Sequence, residues 1–134
     1  MRKQEIQVAV HNETRKGDII TVINRHGLRI KWNSREFVIP RYFESDGASI
    51  PRFLWDSVSP QIHPKTLKAA LAHDYIYRTQ PEGWTRKQAD DMFYDTCRAD
   101  GLNWWRSQKA YWGVRLFGGH AWRTQGGVKD GNNS

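Results

Sequence analysis

A histidine and an aspartate stand side by side in the least polar part of LKAALAHDYIYR, residues 67 to 78. A stretch so rich in good helix formers predicts a helix over about 65 to 78. Counted around an ideal helix from Leu67, the apolar side is set by Leu67, Ala70 and Leu71, and Asp74 falls in the middle of that stripe. His73 lies one step away, beside Ala69, Ala70 and Tyr77. Both polar groups therefore point to an interior or a cleft. A carboxylate taken out of water without a partner costs several kcal/mol, a large part of the stability of a small domain. Asp74 must bind something: an arginine or lysine, which makes a structural salt bridge, or a metal ion, which makes a site. The neutral imidazole of His73 needs only one donor and one acceptor.

A second helix offers the partner. In TRKQADDMFYDTCRADG the apolar face is Ala89, Met92, Phe93 and Cys97, and Asp90 lies next to Phe93 and Cys97 while Asp91 and Asp95 fall near the opposite side. Asp90 therefore faces the first helix if the two pack across the short connection TQPEGW. A carboxylate holding one imidazole nitrogen orients the ring so that the other can take a proton from water. A His-Asp dipeptide alone is more often packing or capping. The inward Asp74, the inward Asp90 and the Asp46-Gly47 turn upstream point to one place.

The elements that must position these groups follow from the pattern. Residues 5 to 39 read as short strands, IQVAV, DIITVI, LRIKW and EFVI, separated by HNETRKG, NRHG and NS. They predict a small antiparallel sheet or meander, with Arg29 and Lys31 wet and Leu28, Ile30 and Trp32 packed. From Pro40 to Pro64 the periodicity dissolves into a Pro- and Ser-rich stretch, expected to be a long structured loop. Thr85, with Gln88 three residues on, makes a capping box for the second helix, and Gly101 stops it. A third helix covers about 103 to 117, with Trp105, Trp112 and Leu116 on one face, before Gly118-Gly119 ends it. The expectation is an α+β fold in a single domain, 1–122, made of a strand-rich part (1–40), a structured loop (41–64) and a helical part (65–122). The polar, Gly-rich residues 123–134 are expected to be a disordered tail.

Composition narrows the classes further. One cysteine, Cys97, excludes an internal disulfide and reads as a packed thiol. No apolar run is long enough for a signal peptide or a membrane span, which predicts a soluble cytoplasmic protein. The net charge of +7 suits a polyanionic partner. The lysines and arginines are scattered, however, and no recognised nucleic-acid motif accompanies them. Seven tryptophans favour a core, an interface or the boundary between lipid and water.

HDYIY, residues 73 to 77, resembles the catalytic-helix signature of secreted phospholipases A2, and ADDMFYD, residues 89 to 95, resembles the partner helix of the short prokaryotic members of that superfamily. Separately, the ordered set SDGASIPRFLW, AALAHDYIYR, ADDMFYD and AYWGVRLFGG is similar to domain-of-unknown-function family 1353, whose members are short and mostly phage-encoded. The second likeness spans most of residues 30 to 122; the first spans two helices. Together they imply a small antiparallel N-terminal sheet followed by a phospholipase A2-like helical hairpin and a third packed helix. The phospholipase likeness implies His73 as general base, Asp90 as its orienting partner, Tyr77 hydrogen-bonded within the network, and Asp74 as a ligand of Ca2+. Calcium takes about six to eight oxygens, so Asp46, Gly47 and Ala48 would supply the rest. The ion would polarise an ester carbonyl while His73 activates water. A phospholipid membrane surface is the implied partner. The chain departs from the lipases in lacking their disulfides, including the cysteine expected at Ile76, and their Gly-rich calcium loop, and in carrying the strand-rich part.

Two other readings stand beside this one. In a non-enzymatic phage structural or assembly protein, made in the host cytoplasm and associated with virion or tail proteins, Asp74 and Asp46 pair with Arg41, Arg52 or Arg78, and His73 is a satisfied core histidine. In a zinc or manganese hydrolase, His73 and Asp74 share a metal with His63 or His26. That chemistry needs histidines on further helices, whereas His26 falls in a strand turn and His63 in the loop.

Overall fold

The computed structural model describes residues 4–13, 17–45 and 65–127. The fold is α+β, with small antiparallel sheets followed by helices. Contacts gather into two compact units, Met1–Asp46 and Gly47–Ser134.

The first unit holds β1 (Val8–Glu13), β2 (Gly17–Val22), β3 (Leu28–Trp32), β4 (Arg35–Ile39) and β5 (Glu44–Ser45). Among the described residues the strands form two sheets, in the orders β1-β2-β5 and β3-β4, all antiparallel. The β3-β4 hairpin turns on Asn33 and Ser34, whose φ angles of 47° and 64° are those of the two-residue turn that matches strand twist. In β3, Leu28 and Ile30 are buried while Arg29 and Lys31 are exposed, as alternation requires. Among the described residues the unit's buried apolar side chains are Ile20, Val22, Leu28, Ile30 and Ile39. Buried Asn24 is satisfied by the backbone of Glu5 and Gln7. β5 lies inside the segment expected to be loop. Two residues are too few to show an alternating pattern, and β5 is held as a strand by its pairing with Ile20 and Thr21.

The second unit is helical: α1 (Leu67–Thr79), α2 (Arg86–Ala99), α3 (Trp104–Phe117) and α4 (Gly119–Gly127). α1 ends at Gln80, which adopts the left-handed conformation at φ 41° and donates its N–H to the Ile76 carbonyl. α2 opens on the expected capping box, with Gln88 N–H donating to Thr85 Oγ1 at 3.1 Å and Thr85 N–H donating to Gln88 Oε1 at 2.9 Å. It closes where Gly101 takes φ 99°, and Leu102 folds back to donate its N–H to the Cys97 carbonyl and bury its side chain. Asn103 then caps α3. Ala69, Ala70, Phe93, Cys97, Leu102, Ala110 and Val114 form one apolar cluster that ties α1, α2 and α3 together.

α3 packs through its small residues. Its packed side is Ser107, Ala110, Gly113 and Val114, while Trp105, Trp112 and Leu116 face solvent. Small side chains let the α3 backbone approach α2 closely, and the bulky ones are left outside. α4 also carries helix past Trp122, beyond the point expected to end the folded part. Residues 128–134 of the expected tail lie outside the described residues. No helix among the described residues is long and apolar enough to cross a membrane.

Candidate functional site

His73, Asp74 and Tyr77 sit on α1, which is buried on nearly every side between Ala69 and Tyr77. Asp90 sits on the buried face of α2 with Ala89, Met92 and Phe93. Packing of α1 against α2 brings His73 Nε2 to 2.7 Å from Asp90 Oδ1. The Tyr77 hydroxyl, one turn along α1 from His73, donates to the same oxygen at 2.7 Å. The ring of His73 lies against Tyr77 at 4.2 Å and Phe93 at 5.0 Å between centroids, and Trp122 meets Tyr77 edge-on at 5.2 Å. His73, Asp74 and Asp90 are all 0% exposed.

The other carboxylate oxygen of Asp90 belongs to two arginines. Arg115 Nη1 of α3 donates to Asp90 Oδ2 at 2.9 Å, and Arg86 Nη1, one helical turn before Asp90, lies 3.5 Å from it. Arg86 is itself held by the carbonyls of Val114 and Arg115 at 3.0 and 3.1 Å. Asp90 thus presents one oxygen to a histidine and a tyrosine and the other to cations. Neither arginine was foreseen. Arg86 carried a legible signal, its i, i+4 spacing to Asp90. Arg115 reaches Asp90 only through tertiary packing, which spacing does not reveal.

Burial pushes the Asp90 carboxyl up. The hydrogen bond and charge of His73, then the hydrogen bonds from Tyr77 and Arg115, outweigh it and hold the group below its ordinary value of 3.8. The Tyr77 phenol is pushed far above its ordinary 10.0, first by burial and then by the charge and hydrogen bond of Asp90, so it remains a neutral donor. Cys97 is driven by burial up to about 12, which makes it an inert thiol.

Asp74 carries an arginine: Arg78 Nη2 lies 3.3 Å from its Oδ2, one helical turn on. Asp46, Gly47 and Ala48, expected as further calcium ligands, lie outside the described residues, as do His63 and Arg52. Among the described residues no group of three or more His, Cys, Asp or Glu side chains is placed to hold a metal ion. The described part therefore contributes one carboxylate, Asp74, toward the roughly six to eight oxygens of a calcium site.

A family model described as protein of unknown function (DUF1353) matches residues 23–114, a span that includes His73, Asp74, Tyr77 and Asp90. The chain belongs to that family. It is also 32% identical over 75 residues to the uncharacterized protein y4iH of Sinorhizobium fredii (strain NBRC 101917 / NGR234), covering 56% of this chain and 30% of that protein. The match therefore spans less than a third of the length of this curated relative. No solved structure matches the chain.

Proposed function

We propose that the chain is a phospholipase A2-like ester hydrolase in which His73 activates water and Asp90 orients it. The observation that carries this reading is the division of labour at Asp90. Its Oδ1 meets His73 Nε2 at 2.7 Å, while its Oδ2 is held by Arg115 at 2.9 Å. A carboxylate anchored by cations on one side cannot rotate, so it fixes the ring and the tautomer on the other. With Nε2–H donated to Asp90, Nδ1 carries the lone pair that accepts a proton from the attacking water. Tyr77 keeps Asp90 Oδ1 in place, and its raised pKa keeps the donated proton on the phenol across the working pH range. Asp74 is the residue proposed to hold Ca2+, which when bound would polarise the ester carbonyl. Because the described residues supply a single carboxylate for it, the steps above are written for the side chains alone.

A second reading is favoured by a specific observation. His73 and Asp90 are both 0% exposed, and Asp74 has its expected structural partner in Arg78. In that reading the cluster is a buried polar lock between α1, α2 and α3, in a non-enzymatic phage structural or assembly protein.

The deciding experiment measures fatty-acid release from phospholipid vesicles, with and without calcium, by the wild type, His73→Asn and Asp74→Asn, each checked for fold by circular dichroism. Hydrolysis abolished in folded His73→Asn supports the enzyme. No release by the wild type supports the lock. Calcium binding by calorimetry that is lost in Asp74→Asn assigns the ion to Asp74.

A further inference from the structure

Helix α3 is inside out. Ser107, Ala110, Gly113 and Val114 are buried, whereas Trp105, Trp112 and Leu116 are 77%, 55% and 70% exposed. Placed at about 100° per residue, these three fall in one narrow stripe opposite the buried side. Lys109 borders the stripe on one side and Gln108 on the other, with Arg106 beyond Lys109. Trp104 is also exposed and meets Trp105 edge-on at 5.0 Å between ring centroids, which widens the apolar surface at the start of the helix. Trp105, Arg106, Gln108, Lys109 and Trp112 line a surface concavity of about 570 Å³. An ordinary surface helix turns its apolar stripe to the core and its charges to water. A contiguous stripe of large apolar side chains on the outward face marks a docking surface.

Charge decides what docks there. From Asn103 to Gly127 the chain has no aspartate or glutamate, while Arg106, Lys109 and Arg123 supply positive charge and Arg115 is engaged with Asp90. A second copy docking by two-fold symmetry would set this acid-free, basic face against itself, with like charges repelling. Single-stranded nucleic acid would stack on rings, but Leu116 offers none and lies between the exposed Trp112 and Phe117 in sequence. An anionic bilayer uses everything on the face. Tryptophan rings settle at the boundary of lipid and water with their N–H groups toward the headgroups, Leu116 enters the acyl region, and basic stems reach lipid phosphates.

We propose that the Trp105, Trp112 and Leu116 face of α3 docks onto an anionic phospholipid surface. This names a partner for the site described above, and it stands on an element outside the two helices that carry the phospholipase likeness. Arg115, on the same helix, binds Asp90, so the docking face and the His73–Asp90 pair share one rigid element.

The test is cosedimentation of the full chain with vesicles of phosphatidylcholine alone or mixed with phosphatidylglycerol. The variants are Trp105→Ala/Trp112→Ala, Arg106→Glu/Lys109→Glu and His73→Asn. Trp105, Arg106, Lys109 and Trp112 are exposed, so their substitutions leave the core untouched, whereas His73 is buried; circular dichroism verifies each fold. The expected result is binding to the mixed vesicles and little to phosphatidylcholine alone. The tryptophan pair should weaken binding by about tenfold or more, and loss of each basic charge by about fivefold. His73→Asn binds as the wild type does, so failure of hydrolysis and failure of docking are read apart. The inference is overturned if the wild type ignores anionic vesicles or if the tryptophan pair changes nothing. It is equally overturned if that pair abolishes self-association or oligonucleotide binding while vesicle binding is absent.

Discussion

Replacing Asp90 by asparagine isolates the charge at the centre of the site. The side chain keeps its volume, so no cavity opens, and its amide oxygen can still accept from Tyr77. What is lost is the anion facing Arg115 at 2.9 Å and Arg86 at 3.5 Å, both held against buried backbone or carboxylate. The amide NH2 would instead meet the Arg115 guanidinium donor to donor. Removing one partner of a buried ion pair costs about 3–5 kcal/mol. The arginine side chains are each 23% exposed, so water relieves part of that loss and places it near about 3 kcal/mol. Urea unfolding at neutral pH measures it. The pH dependence carries a sign. The folded carboxyl lies below its unfolded value of 3.8, so its contribution is complete above that pH and is lost as pH falls through the depressed folded value. The wild-type and Asp90→Asn stability curves should therefore lie about 3 kcal/mol apart at neutral pH and converge in acid. A gap under about 1 kcal/mol, or one that persists unchanged below the carboxylate range, would refute the charge hub.

Two further outcomes follow from packing and burial. A Cβ at Gly118 would lie 2.4 Å from the Val114 carbonyl oxygen and 2.7 Å from the Tyr77 hydroxyl, so Gly118→Ala must move backbone at the junction of α3 and α4. It should cost about 2 kcal/mol in urea unfolding and weaken the Tyr77 contact; a neutral result would mean that this junction is slack. Cys97, buried and pushed up to about 12, should resist a thiol-specific reagent in the native protein at neutral pH and react promptly in urea. Fast native labelling would contradict its placement in the core.

The parts legible in the sequence are those governed by local rules. The capping box of Thr85 and Gln88 and the turn at Gly101 set α2, and the stop at Gly118-Gly119 sets the end of α3, to within a residue or two. The inward direction of His73, Asp74 and Asp90 followed from helix periodicity, and the structure brings His73 and Asp90 together. The illegible parts depend on which side of an element finds a neighbour. Trp105, Trp112 and Leu116 share a face by periodicity, but periodicity does not say whether that face is inside. Here the small residues Ala110 and Gly113 pack and the large ones do not. Arg115 could be joined to Asp90 only by knowing how α3 crosses α2. β5 depends on pairing with β2, not on any pattern of its own.

The pairing of His73 with Asp90 is tested most directly by nitrogen-15 NMR of the neutral imidazole. Nε2 is expected to be protonated and shifted by its hydrogen bond to Asp90, and Nδ1 to be unprotonated, with the Nε2 signal altered in Asp90→Asn. A protonated Nδ1 in the wild type would contradict it, because the nitrogen assigned to receive the proton from water would already carry one.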